Sequence, residues 1–508
     1  MLEGLLSILN PNCLLLMVAG TAIGATFGCI PGLTGGIAIA IFVPFTFYMD
    51  VVSSMALLVG IYAGGAYGGS ITAILIATPG APEAGMTVFD GSPMARKGLS
   101  GKALKTALYA SSAGNLISSF ITICLIFVIS KFALMIGPPE YFAIVLFSIV
   151  LIATIGSKGA WIKGLFATVL GLCISFIGCD PIVGTARFTL GFTQLMSGIE
   201  LIPLMIGMFV GAEVLGTIRT KREAPKFSVS FKDENKITKE DVKRCVPSIL
   251  SGTIIGAIIG ALPGLNAAIS ATLNYAFAQK ISKTPEEFGK GCIEGIAAAE
   301  SANNATAGPT LAPLLTLGIP GSGNAAIFLG ALLLHGVQVG PHIMRDYSEV
   351  VYAIFFSLML CTVALLLVGQ IMIRISQYIV FVPPEYLNPI IIFTCCAGIY
   401  SSNKRLFDIA VFLIFMVIGY LINTLKVPLL PLLISFLLGN MMESNFRRSL
   451  IVSKAGGTGT LSAITNSNIA MFFIAVAALL LLYAAFGSKL LRRKFNTNLP
   501  KGENESCQ

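Results

Sequence analysis

Charged side chains are scarce: only 11% of the 508 residues are Asp, Glu, Lys or Arg, too few to coat a soluble globule of this length. Histidine is limited to His335 and His342, far along the chain, and no HExxH pair occurs, which argues against a zinc hydrolase. No GxxxxGKS/T loop is present to cradle nucleotide phosphates, so a nucleotide-driven pump within this chain is not expected. The eleven cysteines make no CxxC pair and no zinc spacing; most, such as Cys29, Cys124, Cys173 and Cys361, lie in apolar runs and read as packing residues. Met1 to Asn12 lacks a basic n-region, so no cleavable signal peptide is expected and the first helix should stay in the mature protein. The formal net charge of +9 does not indicate nucleic acid, because Lys and Arg cluster in short loops and the tail.

What is abundant is apolar surface. At 55% hydrophobic residues and a mean hydropathy of +0.86, the chain suits lipid and not water. Uncharged runs long enough to cross about 30 Å of hydrocarbon, roughly 20 residues each, lie near 13–47, 51–80, 107–130, 141–156, 164–178 and 199–218. Others lie near 247–278, 305–333, 348–373, 378–400, 406–422 and 427–442, and 467–488 stands alone. The expected fold is an all-α polytopic membrane protein with about twelve transmembrane helices.

One peptide occurs twice. GTAIGATFGCIPGL, from Gly20, returns as GTIIGAIIGALPGL, from Gly252, with nine of fourteen positions identical at an offset of 232. Three further pairs keep the order: TPG at Thr78 against IPG at Ile319, PPEY at Pro138 against PPEY at Pro383, and IPLMIGMFVG at Ile202 against LPLLISFLLG at Leu430. Two halves of one architecture in a membrane chain point first to a secondary transporter. The expected division is a first transmembrane repeat over 1–218, a basic cytoplasmic linker over 219–246 and a second repeat over 247–445. An extra C-terminal helix follows over 446–488, then a basic cytoplasmic tail over 489–508.

Loop charge orients these halves. Arg219 to Arg244 holds nine basic and five acidic residues, and Lys489 to Lys494 is also basic, so both are expected in the cytoplasm. Ala95 to Lys105 is strongly basic where its counterpart after Gly336 is not, whereas Pro44 to Asp50 lacks Lys and Arg where Gln279 to Lys290 has three lysines. Charge changes sides between the halves, which favours an inverted repeat. Segment 247–278 then has basic flanks at both ends, a conflict that a re-entrant hairpin or a bent helix at Pro263-Gly264 would remove.

Irregular backbone survives at membrane depth only where protein or a water-filled cavity satisfies it, so Gly/Pro breaks in apolar segments are candidate binding sites. The candidate breaks are Pro31-Gly32, Pro79-Gly80, Pro263-Gly264 and Pro320-Gly321. Two zones stand out, Gly60 to Gly85 and Glu294 to Ala326, each joining small and polar residues to a Pro-Gly turn. Unwound segments expose helix N-termini that attract carboxylates, and freed carbonyls could hold a cation. The candidate substrate or ion ligands are Ser70, Thr72 and Thr78, with Tyr67 beside them, and Glu300, Ser301, Asn303, Asn304, Thr306, Ser322 and Asn324. Adjacent amides at Asn303-Asn304 can meet a cation or a carboxylate without formal charge, or they can join helices by hydrogen bonds. Spacings such as Gly24/Gly28 and Gly256/Gly260 read as close helix packing. Intramembrane charge at Glu213, Glu294, Glu300, Asp180 and Arg187 needs a reason. Glu300 could carry a coupling proton or end a helix near the surface. Asp180 and Arg187 read as a structural ion pair, with an anion clamp at Arg187 as the alternative.

Taken together, PGLTGG with PFTF, YAGGAYGGSITAIL with TPG, DGSPMARKG, GCDPIVGTARFTLG, PGLNAAIS, FGKGCIEGIAAAESANNATAGPTLAPLLTLGIPGS and HGVQVGP closely resemble the large membrane subunit of the tripartite tricarboxylate transporters, the TctA family. The resemblance spans nearly the whole chain. It implies a permease in the bacterial cytoplasmic membrane, holding the translocation path and driven by an ion gradient, with sodium or proton as coupling cation and no other cofactor. It also implies a small membrane subunit and an extracytoplasmic solute-binding protein that delivers an organic anion, a di- or tricarboxylate. Two positions depart from the pattern: Thr72 stands where the family's SIP-like reading has proline, and Asn266 follows PGL where small residues are common. Both bear on the identity of ligand or ion.

Two other classes compete. An intramembrane serine protease would need the GLSG at Gly98 to Gly101, which falls in a basic loop with no histidine near it in sequence. An ion channel would more often draw its symmetry from several subunits, whereas this chain carries its own. The expected mechanism is alternating access around the two Gly/Pro-rich zones.

Overall fold

The computed structural model describes residues 1–30, 32–155, 157, 160–180, 182–219, 236–262, 265–379, 384–455 and 460–487. Three of the expected helix breakers, Pro31, Pro263 and Gly264, lie outside the described residues, as do most of the linker and the tail. In chain order the helices begin α1 (Leu2–Ile8), α2 (Pro11–Gly28), α3 (Gly35–Thr46), α4 (Val51–Ile76), α5 (Thr87–Met94), α6 (Ser100–Ala133), α7 (Pro138–Thr154) and α8 (Trp161–Ser175). A two-residue ladder follows, β1 (Gly178–Cys179) antiparallel to β2 (Ala186–Arg187), then α9 (Leu201–Ile206) and α10 (Ala212–Arg219). The chain continues with α11 (Lys239–Gly260), α12 (Ala267–Ile281), α13 (Ile293–Ala305), α14 (Ala307–Leu317), α15 (Gly323–Leu334), α16 (Ile343–Asp346) and α17 (Ser348–Ile379). It ends with α18 (Pro384–Asn403), α19 (Leu406–Thr424), α20 (Leu429–Ala455), α21 (Ser462–Thr465) and α22 (Asn468–Leu482). Among the described residues eight helices are long and apolar enough to cross a bilayer, and five shorter apolar helices accompany them. The chain is an all-α polytopic membrane protein, the form in which backbone polar groups are satisfied without water. It divides into two compact units: Met1–Met135 with Phe192–Leu429, and Ile136–Gly191 with Leu430–Gln508.

In the first unit, the two longest uncharged runs are hairpins. α2 stops at Gly28, Gly32 takes φ +87°, and Thr34 restarts the chain as α3 by accepting a hydrogen bond from the Ile37 amide at 3.2 Å. α11 stops at Gly260, and Asn266, 232 residues beyond Thr34, caps α12 by accepting from the Ile269 amide at 3.2 Å. The departure at Asn266 is thus an N-cap, a role its short amide fills as well as threonine does. Each hairpin returns to the side where it began. Cys13, early in α2, lies 3.4 Å from Ser53 in the first turn of α4, and Ser54 donates to the Thr46 carbonyl at the end of α3. Arg244, in the first turns of α11, binds Thr284 and Glu287, just beyond α12. That geometry removes the conflict of basic flanks at both ends of 247–278.

Both hairpins pack through glycine. A Cβ at Gly20, Gly24 or Gly28 would overlap the backbone carbonyl oxygen of Leu57, Ile61 or Gly65 on α4. A Cβ at Gly256 or Gly260 would do the same at Ala302 and Thr306 on α13 and its cap. Gly24 and Gly256 are 232 residues apart, and their partners Ile61 and Ala302 are 241 apart, the offset already seen between TPG and IPG. Both halves therefore repeat the same backbone-to-backbone contact, as small-xxx-small stripes do in membranes. α4 sits deepest, with 83% of its span buried.

The same offset links the two breaks. α4 ends on Ala77, left-handed at φ 55°, and α14 ends on Gly318, left-handed at φ 67°. A left-handed alanine costs about 1 kcal/mol relative to glycine. Ala77→Gly is therefore expected to raise the melting temperature of the purified protein and Gly318→Ala to lower it. Equal shifts of one sign would contradict the shared geometry.

The second unit has its own core. Phe142 meets Phe446, and Phe147 meets Phe473, with ring centroids 5.0 and 5.4 Å apart, joining α7 to α20 and α22. α8 lies against α20 through Gly171 and Gly439. Beyond α8, Arg187 pairs with Glu443 at 2.9 Å and Asp180 at 3.5 Å, and Arg447 pairs with the same two carboxylates at 2.6 and 2.8 Å. Asp180 and Arg187 are thus an ion pair inside a four-member network. The Val183 and Ile182 amides, with Arg447, hold the Asp180 carboxyl down to about 2.

Candidate functional site

The two breaks adopt one conformation. Residues 77–81 and 318–322 leave the helix with the same pattern of bends. The Gly80 amide donates to the Gly69 carbonyl at 3.2 Å, which brings Gly80 against Thr72. Thr72 donates to the same carbonyl at 3.0 Å. The Gly69 carbonyl thus accepts both from the break and from Thr72 within α4. After the second break Ser322 caps α15, accepting from the Ala325 amide at 3.2 Å. Its hydroxyl also meets Tyr62 of α4, and the Asn324 side chain lies against Gly36 of α3. The second-half break is therefore seated on the first half's helices.

The candidate residues fall into two sets. Thr78 and Pro79 are exposed, and Gly32, Ser322, Asn324 and Glu83, in the short turn Pro82–Ala84, are partly so. Gly80, Pro320 and Gly321 are buried. Ser70, Thr72, Glu300, Ser301, Asn303, Asn304 and Thr306 are all buried. Glu300 lies in the middle of α13 and is 0% exposed, so it does not end a helix at the surface. The spacing of Glu300, Asn303 and Asn304 puts all three on one face of α13.

Within the buried set the hydrogen bonds divide the labour. Ser301 donates to the Ser248 carbonyl on α11, and Thr306 shares a hydrogen bond of 2.7 Å with Ser270 on α12, so both join helices. Asn304 donates to the Glu300 carbonyl at 3.4 Å. Asn303 is different: 3% exposed, its amide nitrogen has no partner among the described residues. Ser112, Ser119 and the Asn115 amide oxygen, all on α6, are likewise buried without partners among the described residues. α6 and α13 pack together, with Gly114 against Ser301, so unsatisfied polar atoms gather on these two neighbouring helices. Native interiors rarely leave such groups unpaired.

Glu300 accepts hydrogen bonds from Thr87 on α5 and from Ser111 on α6, the latter at 3.0 Å, and the Ser70 hydroxyl of α4 faces it. One turn beyond Thr87, the Asp90 carboxylate accepts from the Gly291 and Cys292 amides at 2.9 and 2.7 Å and from the Tyr275 hydroxyl at 2.7 Å. Cys292 is the N-cap of α13, so an anion from the first half sits at the N-terminus of the helix that carries Glu300. Nearby, Lys102 pairs with Asp241 at 2.6 Å and Lys97 donates to the Lys290 carbonyl, while the hydrogen bond from Arg244 keeps the Glu287 carboxyl below its usual range. Thr87, Asp90 and Ser111 were not among the residues singled out from the sequence. The only trace of them there is the conspicuous DGSPMARKG and the polar spacing Ser111, Asn115, Ser118, Thr122 in an apolar run.

Against known proteins, residues 14–434 match the family model described as the tripartite tricarboxylate transporter TctA family. The chain belongs to the TctA family. It is 32% identical over 446 residues, covering 88% of both chains, to an uncharacterized 52.8 kDa protein in the TAR-I ttuC' 3' region of Agrobacterium vitis. A protein in the TAR-II ttuC' 3' region of the same organism is 33% identical over 190 residues, which is 37% of this chain and 78% of that one. No solved structure matches the chain. As a TctA protein it is a membrane component of a tripartite transport system that works with other subunits, which accords with a transporter in place of an enzyme. Both breaks, the glycine stripes and the Glu300 face lie within the matched span.

Proposed function

We propose that this TctA protein is the permease of an ion-gradient-driven, binding-protein-dependent secondary transporter that imports a di- or tricarboxylate by alternating access. The observation that carries the reading is the seating of the second broken segment on the first half's helices, with Ser322 on Tyr62 of α4 and Asn324 on Gly36 of α3, where Glu83 beyond the first break faces the same Tyr62. Helix termini freed at the interface of two repeats are the setting in which secondary transporters hold anionic groups and coupling ions. In this reading the accessible Thr78, Ser322 and Asn324 meet the solute first. Asn303, with an unpaired amide donor, and the Glu300 face serve the buried end, with Ser70, Thr72, Ser301, Asn304 and Thr306 framing it. Two repeats over 1–218 and 247–445 fit the matched glycine contacts.

Inversion of the repeats has support as well. α6 runs antiparallel to α17, since Asn115 meets Leu358 and Thr362 while Gly369 meets Leu108. The first hairpin's ends lie with the start of α17 through Ser7 and Glu349, whereas the second's lie with the start of α6 through Lys102 and Asp241. The basic second end then faces the cytoplasm of a bacterium, and the opposite end receives the solute-binding protein. A small membrane subunit completes the system.

The test is uptake of radiolabelled di- and tricarboxylates by proteoliposomes holding this chain and both partners, under imposed sodium or proton gradients. Accumulation that collapses with one gradient is the expected result. Asn303→Ala and Asn304→Ala are expected to abolish it while leaving the protein folded; wild-type uptake by both would remove these residues from the site. No accumulation of any carboxylate by folded components would overturn the solute class.

A further inference from the structure

We infer that Thr87 and Ser111 form with Glu300 a binding site for one monovalent cation, either an alkali ion or a proton. Glu300 is wholly buried, and it meets hydroxyls from three separate elements: Thr87 of α5, Ser111 of α6 and Ser70 of α4. Among the described residues no Lys, Arg or His forms an ion pair with it. A carboxylate in an apolar interior is costly unless a positive charge compensates it. Here the compensation has to come from outside the chain's own cations. The groups around Glu300 are all oxygens, and a hydroxyl that donates to the carboxylate can turn its lone pairs to a cation instead. Two carboxylate and three hydroxyl oxygens suit a hard alkali ion. The same hydroxyls accept a hydrogen bond if Glu300 takes up a proton. A single carboxylate balances a single positive charge, so a divalent ion would leave one charge uncompensated in the interior. Besides the hydroxyls, the ionisable groups that face Glu300 are Tyr67 of α4 and Glu83 beside the first break.

The placement also suggests what occupancy does. Thr87 lies between the first break and Asp90, and Asp90 holds the N-terminus of α13. A cation bound to Thr87, Ser111 and Glu300 would draw α5 and α6 onto α13, tying the segment after the first break to the second half. That coupling role rests on the transport reading above; cation binding does not.

The experiment is a thermal-stability titration of the purified full-length chain with sodium chloride against choline chloride, in acidic and alkaline buffer. Wild type is expected to gain stability with sodium, with acid, or with each at the other's expense. Sodium alone identifies an alkali ion, acid alone a proton, and mutual exclusion a shared site. Glu300→Gln is expected to abolish the response. Thr87→Val and Ser111→Ala are expected to weaken it by roughly tenfold in cation concentration, equivalent to about 1.4 kcal/mol, with Thr87→Ser close to wild type. A folded Glu300→Gln protein that keeps the full wild-type response would overturn the site, as would a wild type that responds to neither ion. In the wild type, absence of any cation response with intact carboxylate uptake would sink the site alone, and a cation response without uptake would sink the transport reading alone.

Discussion

Replacing Asp90 with alanine is expected to prevent accumulation of folded protein in the membrane. The side chain is 0% exposed and accepts three hydrogen bonds, two of them from the amides that begin α13. Its removal leaves the Gly291 and Cys292 amides and the Tyr275 hydroxyl without their acceptor. Each such loss costs on the order of 1–3 kcal/mol, and the sum is comparable to the net stability of many domains. Asp90→Asn keeps one oxygen for the amides and can still bond Tyr275, whose hydroxyl both donates and accepts. It is expected to cost only about 1 kcal/mol. The measurement is the monodisperse fraction on size exclusion in detergent, followed by a melting temperature. Alanine and asparagine variants that behave alike would show that the carboxylate is not holding the helix.

Valine at Gly24 or Gly256 is expected to be as damaging for a different reason. The atom a Cβ would strike is a backbone carbonyl oxygen, of Ile61 or of Ala302, and no rotamer change moves it. The helices must separate, which forfeits packing along the stripe and costs about 3 kcal/mol or more. Gly216→Ala is the internal control, because a Cβ there meets nothing within 4 Å and alanine favours the helix. The expected ranking of folded yield is Gly216→Ala equal to wild type, with Gly24→Val and Gly256→Val near zero. Normal yield from either valine variant would mean that α2 and α4, or α11 and α13, do not touch through these glycines.

Much of this fold was legible because repetition doubles the signal. A single GxxxG is weak, but its recurrence at Gly24/Gly28 and Gly256/Gly260 signalled close helix packing in both halves, without saying which helices meet or whether the chain bends or doubles back between them. The breaks were legible for a similar reason, as proline and glycine in an apolar run have few uses other than interrupting it. Asn266 was harder to read: it was a departure from pattern in sequence and is a helix cap in space. The reading failed where function depends on partners far apart in the chain. Nothing in DGSPMARKG says that its aspartate accepts amides 201 residues away. Nor does the polar spacing of α6 say that Ser111 meets Glu300. Amide donors at a helix terminus carry no residue-type signature, and serine is as common in helix contacts as around an ion.

The distance along the chain between Asp90 and its partners has a consequence for biogenesis. α5 and α6 leave the ribosome and enter the bilayer roughly 200 residues before α13 exists to receive them, given the 201-residue separation. During that interval Asp90 is an uncapped acid and α6 carries an unmatched polar stripe in a lipid environment. Residues 136–191, which belong to the other unit, are also made before the first unit can close. Until α13 is made, the first half has only its own contacts to hold it, among them the glycine packing of α2 on α4.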